Sequence, residues 1–237
     1  MRLDRFLAEC GLGTRNEVKK IIRSGAVTLN GQVTKSADAA VVPTTDSVAV
    51  LGREMIYREF IYLMLNKPGG YISATRDGKT PTVLDLLPDE YRHFEPFPVG
   101  RLDIDTEGLL ILTNDGDLAH RLLSPKKHVP KTYIAQIEKP VKTEDVDAFS
   151  RGVVLDDGYK TLPAKLASLS DTEPYFAEVV ISEGKFHQVK RMFEAAGNKV
   201  LYLKRTKMNY LALDEKLELG HIRELTDAEL ELLQKTN

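Results

Sequence analysis

The dipeptide Asn30-Gly31 is the feature that most constrains how this chain begins to fold. It joins two short alternating runs within residues 26–33. An Asn-Gly pair between such runs is a strong β-hairpin signal, because both residues tolerate the positive φ angles of a type I′ turn. The sequence therefore predicts a tight hairpin here, with a third short strand at residues 47–51.

Two short helices are predicted before this hairpin. Residues 3–10 carry apolar side chains at helical spacing, and the glycines that follow end the segment. Thr14 then stands three residues before Glu17, which is the spacing of a capping box at a helix N-terminus. Gly25 ends the second helix, so the order helix, helix, hairpin is expected for this module.

The N-terminal module is cationic. Residues 1–35 hold seven Lys or Arg and three Asp or Glu, a charge of +4, although the whole chain carries −2. Basic side chains on one helix usually mean only a solvated face, but this excess beside a helix N-terminus and a hairpin favours a phosphate-binding surface. The candidate RNA-binding residues are Arg2, Arg5, Arg15, Lys19, Lys20 and Arg23.

This module resembles a known RNA-binding domain. The segments Arg2–Leu7, Thr14-Arg15, Gly25–Val27 and Asn30-Gly31 match the αL-type domain shared with small ribosomal protein S-four. The resemblance implies binding of structured RNA by residues 1–51 but no chemistry, because the module occurs in unrelated proteins. A linker at 52–60 and a second domain at 61–237 are expected.

Strands dominate the predicted second domain. Strands are expected at residues 61–65, 109–112, 132–137, 175–182, 200–203 and 210–213. Helices are expected at residues 83–87, 115–123, 143–150, 187–196 and 227–233. This order favours an α+β fold with a mixed, largely antiparallel β-sheet.

Composition excludes several classes of protein. A single cysteine, Cys10, rules out an internal disulfide framework and any zinc site with several cysteines. The five histidines show no ligand spacing, so we expect no metal site. No apolar run is long enough to cross a membrane, and the start shows no signal-peptide pattern, so a cytoplasmic protein without a membrane partner is expected.

The most informative stretch is acidic. Asp103, Asp105 and Glu107 lie between Gly100 and a strongly apolar strand. Such loops on a rigid sheet often carry catalytic groups. A calcium loop is rejected, because apolar residues follow at once and the twelfth position holds Asn114 in place of a glutamate.

Three segments together resemble the pseudouridine synthases. They are Gly100–Asp103, Lys131–Tyr133 and His187–Met192, and the opening Leu65–Gly70 matches the first catalytic-domain strand of that family. The form of the third motif resembles the branch that modifies small-subunit (16S) ribosomal RNA, the RsuA type. The sequence departs from the family pattern at 207–210, where an isoleucine–glycine-like turn is expected.

The resemblance implies a role for each matched residue. Asp103 corresponds to the catalytic aspartate, and Tyr133 is expected to stack on an extruded uracil. Lys190 is expected to keep the carboxylate of Asp103 charged. Arg101 and Arg191 are expected to contact the substrate nucleotide.

The implied activity is conversion of one uridine in 16S ribosomal RNA to pseudouridine, with no cofactor and with a monomer acting on a small-subunit assembly intermediate. Three alternatives remain at this stage. They are action on 23S RNA, a non-catalytic ribosome-associated RNA-binding protein, and a carboxylate hydrolase. The single carboxylate argues against the hydrolase, since hydrolysis of a glycosidic bond generally uses two.

Overall fold

The computed structural model describes residues 1–235, which form two compact units. The first unit comprises Met1–Ile61 and Pro88–Pro96. The second comprises Tyr62–Leu87 and the chain from Phe97 onward. The sequence-based division assigns residues 88–96 to the second domain, whereas their contacts group them with the first unit; among them, Asp89–Arg92 form a short helix, α3.

The first unit is the expected helix–helix–hairpin module with one additional strand. Its elements are α1 (Leu3–Glu9), α2 (Arg15–Arg23), β1 (Val27–Leu29), β2 (Gln32–Val33), β3 (Val48–Val50) and β4 (Arg53–Glu54). The strands form a sheet of order β2-β1-β3-β4. The segment 52–60 is therefore not wholly a linker, because β4 pairs with β3.

Local signals explain the helices of this unit. The capping box predicted at α2 is present, with the Thr14 backbone N–H donating to Glu17 Oε2 at 2.8 Å. Apolar residues from both helices and the sheet are fully buried in one cluster, including Leu3, Phe6 and Ile22. Burial of this stripe directs the basic residues of α2 outward.

The second unit is built on one large sheet. Its strands are β5 (Tyr62–Lys67), β6 (Phe97–Pro98), β7 (Glu107–Thr113), β8 (Lys131–Ile137), β9 (Lys165–Ser168), β10 (Tyr175–Ile181), β11 (Val200–Met208), β12 (Leu211–Ala212) and β13 (Ile222–Glu224). The main path runs β13-β5-β7-β11-β8-β10-β9. The expected mixed, largely antiparallel sheet is confirmed, since β7 and β11 form the single parallel pair among the described strands.

Four helices accompany this sheet: α4 (Gly116–Leu123), α5 (Thr143–Arg151), α6 (Gln188–Ala195) and α7 (Asp227–Gln234). The segment Val83–Leu86 forms a 3-10 turn in place of the predicted helix. Strand β7 is buried along almost its whole length, with Leu109, Leu110 and Ile111 at 0% exposure. The loop before β7 is therefore attached to a strand that has little freedom to move.

The departure at residues 207–210 has a local explanation. Asn209 lies at φ +56° in the turn between β11 and β12. Asparagine is one of the few residues besides glycine that adopts this left-handed region readily. Its side-chain amide also donates to the carbonyls of Leu233 and Lys235, so the turn forms without the expected glycine.

No helix within residues 1–235 has both the length and the apolar character required to cross a membrane.

Candidate active site

The acidic loop between β6 and β7 is held by backbone and side-chain hydrogen bonds on several sides. The backbone N–H of Gly70 donates to the Ile104 carbonyl at 2.8 Å. The hydroxyl of Ser73 both donates to the Leu102 carbonyl and accepts from its N–H, each at 3.0 Å. Asp103 therefore lies on a segment whose backbone is fixed on both sides.

The side chain of Lys67 also holds this loop in place through hydrogen bonds. Its ammonium group is completely buried and donates to the carbonyls of Pro68, Ile104 and Thr106 at 3.0, 3.2 and 2.9 Å. Burial lowers the pKa of Lys67 to about 8, and the charges of the nearby carboxylates oppose that shift. The ammonium cation is thus the side-chain donor to three carbonyls, of which that of Ile104 also accepts from the Gly70 N–H.

The carboxylate of Asp103 meets two groups from the start of α6. Its side chain is 24% exposed, with Oδ2 3.7 Å from Lys190 Nζ and Oδ1 3.7 Å from His187 Nε2. The side chain is thus partly shielded yet open to a ligand. A carboxylate in this setting can act as a nucleophile or accept a proton.

Lys190 has a nearer partner than the sequence analysis expected. Its Nζ lies 2.6 Å from Asp105 Oδ1, closer than to Asp103. Burial acts to raise the pKa of Asp105, but the hydrogen bond and charge of Lys190 outweigh it and lower that pKa below its usual value. Two carboxylates therefore share one ammonium group, where the sequence analysis expected a single carboxylate at this site.

The turn that presents α6 depends on a second buried network. Gln188 is 3% exposed, accepts from the Lys185 N–H and donates to Glu183 Oε1 at 2.8 Å. Glu183 also accepts from the Tyr159 hydroxyl and the Leu162 N–H. These bonds fix the turn from which His187 and Lys190 reach Asp103.

Tyr133 lies in the middle of the sheet. It is 7% exposed and is paired across the strands with Val179 on β10 and Arg205 on β11. Arg205 is 2% exposed and donates from Nε to the Leu109 carbonyl. The buried surroundings hold Tyr133 in a fixed position and leave only a small part of its surface for a ligand.

Lys131 lies two residues before Tyr133 on the same face of β8. Its ammonium group donates to the Val129 carbonyl. Burial, reinforced by the nearby charge of Arg205, lowers the pKa of Lys131 to about 8. The matched segment Lys131–Tyr133 thus contains a further buried cation of this unit, in addition to Lys67 and Arg205.

The two arginines predicted to contact substrate differ in their surroundings. Arg101 is exposed and has no hydrogen-bond or ion-pair partner within residues 1–235. Arg191 is paired with Asp156 and with Asp157, the latter at 2.7 Å. The structure therefore does not present Arg191 as an available anion-binding group, because two carboxylates already neutralise it.

The six predicted RNA-binding residues of the first unit also divide. Arg2 and Lys19 approach the buried carboxylate of Asp4, and Arg5 lies 2.6 Å from Glu9. The exposed residues without a hydrogen-bond or ion-pair partner in the described part of the chain are Arg15, Lys20 and Arg23.

Sequence reasoning missed four contributors to this site: Lys67, Asp105, His187 and the acidic pair Asp156-Asp157. Lys67 stood within a matched segment without an assigned role. Asp105 belongs to the acidic stretch, but nothing local in the sequence shows which way a loop carboxylate turns. The acidic pair is distant in sequence from Arg191 and carries no pattern of its own.

Comparison with known proteins covers both units. Residues 61–195 match the family model described as RNA pseudouridylate synthase, and residues 1–44 match the S4 domain. The chain is 52% identical to an uncharacterized RNA pseudouridine synthase, YtzG, of Bacillus subtilis over 99% of both chains. It is 41% identical to the ribosomal small subunit pseudouridine synthase A of Pasteurella multocida, over 99% of this chain and 100% of that one.

A solved structure matches over the same extent. A crystal structure of a pseudouridylate synthase superposes with a TM-score of 0.69 at 40% identity, covering 98% of this chain and 99% of that one.

Proposed function

The chain belongs to the RNA pseudouridylate synthase family, and we propose that it converts one uridine of small-subunit (16S) ribosomal RNA to pseudouridine with Asp103 as the reacting carboxylate. The S4 domain and the relatives named for the small ribosomal subunit support the choice of RNA. The observation that carries the role of Asp103 is its partly shielded carboxylate beside Lys190 and His187.

The reaction determines what the site has to do. The bond between ribose C1′ and uracil N1 breaks, a bond between C1′ and uracil C5 forms, C5 loses a proton and N1 gains one. Atoms are rearranged without net electron transfer, so the proposal includes no redox cofactor or energy donor.

The reacting uridine first has to leave the RNA stack, because its C1′ and C5 cannot be reached within a helix. We propose that Tyr133 contacts the extruded uracil, where base–aromatic stacking contributes about 1–3 kcal/mol. Arg101, exposed and unpaired, is available to a phosphate of the same nucleotide. Both assignments follow the matched motifs.

Lys190 is proposed to keep the reacting carboxylate ionised. At about 4 Å and an effective dielectric constant near 20, the attraction is roughly 4 kcal/mol before desolvation is subtracted. Asp105 shares this cation, so only part of that attraction reaches Asp103. The ionised Asp103 then either bonds to C1′ or removes a proton from C2′; the proposal includes both routes.

The test is tritium release from 16S RNA labelled at uridine C5. We expect release by the wild-type protein, none by Asp103→Asn, and similar RNA affinity for both in filter binding. The substitution is nearly isosteric and removes the charge. Loss of binding together with turnover would contradict a purely chemical role for Asp103.

The same assay separates the alternative functions. Release from 23S but not 16S RNA would assign the protein to the large subunit. Absence of release with both would favour a non-catalytic RNA-binding protein, and free uracil in the supernatant would reveal a hydrolase. Mapping pseudouridine in cells with and without the gene then identifies the uridine.

We further propose that the natural substrate is a small-subunit assembly intermediate and that a cytoplasmic monomer acts on it. Tritium release should be faster with partly assembled particles than with naked 16S RNA or finished subunits. Equal rates on naked RNA and on intermediates would argue against the intermediate. Sedimentation of the active protein tests the monomer.

A further inference from the structure

An aromatic pair at the start of α6 has no structural role that explains its exposure. Phe186 is 69% exposed, and its ring stacks on His187 with centroids 3.8 Å apart and planes 19° from parallel. A single exposed apolar side chain is ordinary on a protein surface. A stacked aromatic pair, open to solvent on the far side of Phe186, is a preformed flat surface.

The backbone holds this pair in an unusual conformation. His187 lies at φ +50°, a left-handed region that residues other than glycine seldom adopt. The Arg191 N–H donates to the His187 carbonyl at 3.0 Å, while Gln188 anchors the preceding turn through Lys185. The fold therefore fixes the backbone that carries both rings, although neither ring joins the core.

The location of the pair links it to the reaction. His187 Nε2 is 3.7 Å from Asp103 Oδ1, and the Phe186 ring follows at 3.8 Å from the His187 ring. Two short contacts thus lead from the reacting carboxylate to the open face of Phe186. The open face of Phe186 therefore lies close to a nucleotide bound at Asp103.

The chemistry of the surroundings favours a nucleobase as the occupant. Lys185 follows Glu183 on the same turn, and its Nζ lies 4.5 Å from the centre of the Tyr159 ring. Arg101, exposed and unpaired, precedes Asp103 by two residues. Aromatic faces beside basic side chains are typical of single-stranded nucleic-acid sites, where bases stack and cations follow the phosphates.

We propose that Phe186, backed by His187, is a stacking platform for the base adjacent to the target uridine in the RNA. This inference rests on the proposed function, because it takes the target to be bound at Asp103. Extruding a uridine leaves its neighbour without a stacking partner, and the platform replaces that partner. Every base has a π face, so the platform contributes affinity with little sequence preference.

The test uses the absence of tryptophan from the chain. Phe186→Trp places a single fluorescent ring on the platform, and stacking of a base on it should quench the emission. We expect quenching by a uridine oligonucleotide, and none by an abasic oligomer of equal length that retains the phosphates. Tyr210→Trp, at a 46%-exposed position in the turn between β11 and β12, is the matched control and should change little with either RNA.

Turnover gives a second readout. Phe186→Leu should raise KM for 16S RNA by about tenfold with a smaller change in kcat, whereas Phe186→Tyr should restore the wild-type KM because it keeps the ring. If the three proteins have equal KM values and the tryptophan is not quenched by RNA, the platform is refuted. Emission that changes only with ribosomal protein would equally overturn it, by assigning the surface to a protein.

The outcomes separate this inference from the function on which it rests. Quenching at residue 186 in the absence of tritium release by the wild-type protein would leave Phe186 as a base-stacking surface, but it would remove the proposed reaction and the assignment of that base as the neighbour of a target uridine. Tritium release with an unquenched tryptophan and an unchanged KM for Phe186→Leu would support the proposed reaction and refute the platform.

Discussion

Three basic residues of the first unit and two of the second are held in opposite ways. In the first unit Arg15, Lys20 and Arg23 are exposed and unpaired within the described chain. In the second unit Lys67 is buried against three carbonyls and Lys190 bridges two carboxylates. Free surface cations supply affinity for phosphates without a fixed geometry, whereas tied cations position other groups.

The largest effect on turnover is expected from removing the buried ammonium group of Lys67. Lys67→Met removes the side-chain donor to the carbonyls of Pro68 and Thr106 and one of the two donors to the Ile104 carbonyl, and it lets the Asp103 loop move. A misplacement of roughly 1 Å can reduce turnover about 100-fold. We expect a loss of that order in single-turnover tritium release, with a lower unfolding temperature and nearly unchanged RNA affinity.

Lys207→Met is the matched control, because Lys207 is an exposed lysine on β11 of the same unit. It should leave turnover and unfolding temperature close to wild type. If Lys67→Met keeps full turnover, the bonds from Gly70 and Ser73 hold the loop alone, and Lys67 does not position it.

A smaller effect is expected from the unpaired cations of the first unit. Replacing Arg15, Lys20 and Arg23 with alanine removes up to three phosphate contacts. Each contact contributes about 0.7 to 0.9 to the magnitude of the negative slope of log K against log salt concentration. The magnitude of that slope should therefore decrease by about 2. Affinity for 16S RNA at 0.15 M salt should weaken by at least about tenfold, with kcat at saturation unchanged.

Arg5→Ala sharpens this test, because the Arg5 guanidinium already lies 2.6 Å from Glu9. It should change the salt slope by less than any one of the unpaired residues. An equal loss from Arg5→Ala would show that the ion pair opens on binding and that the distinction between paired and unpaired cations fails.

The same contrast explains what the sequence could and could not reveal. The Asn30-Gly31 hairpin, the Thr14 capping box and the apolar strand β7 were predictable, because each depends on residues a few positions apart. The segment Lys165–Ser168 was missed as a strand, since it is short and shows no clear alternation.

Ion pairs between residues far apart in the sequence could not be predicted from local sequence patterns. Lys190 and Asp105 are separated by 85 positions, and nothing near either residue indicates their pairing. Arg191 and Asp156 are 35 positions apart, so the neutralisation of a predicted substrate contact could not be anticipated. The motifs identified which residues gather at the site, whereas the packing of the sheet decides which carboxylate each cation meets.

The smallest effect on stability is expected at Arg223, a basic residue that is paired with carboxylates away from the candidate active site. Arg223 binds Glu229 through two nitrogens at 2.7 and 2.8 Å and Asp214 at 2.8 Å. The hydrogen bonds from Arg223 lower the pKa of Glu229 to about 2, against the opposing effect of burial. A carboxyl group whose pKa is lowered by folding stabilises the folded protein at pH values above the ordinary pKa of that group, which is 4.5 for Glu229. That stabilisation is lost as the pH falls toward the folded-state pKa of about 2.

Glu229→Gln should therefore lower the free energy of unfolding at pH 7 by about 1 kcal/mol, after allowance for solvent screening of a partly exposed pair. Glutamine retains an oxygen to accept from the Thr226 N–H at the start of α7, so the helix cap is preserved. Below pH 2 the variant and wild type should converge in urea unfolding, because Glu229 is then mostly protonated in both folded and unfolded chains. Glu9→Gln, on the exposed pair of the first unit, should change stability by at most a few tenths of a kcal/mol at either pH. Equal effects of the two substitutions at pH 7 would mean that the cations of the second unit are no more firmly held than those of the first.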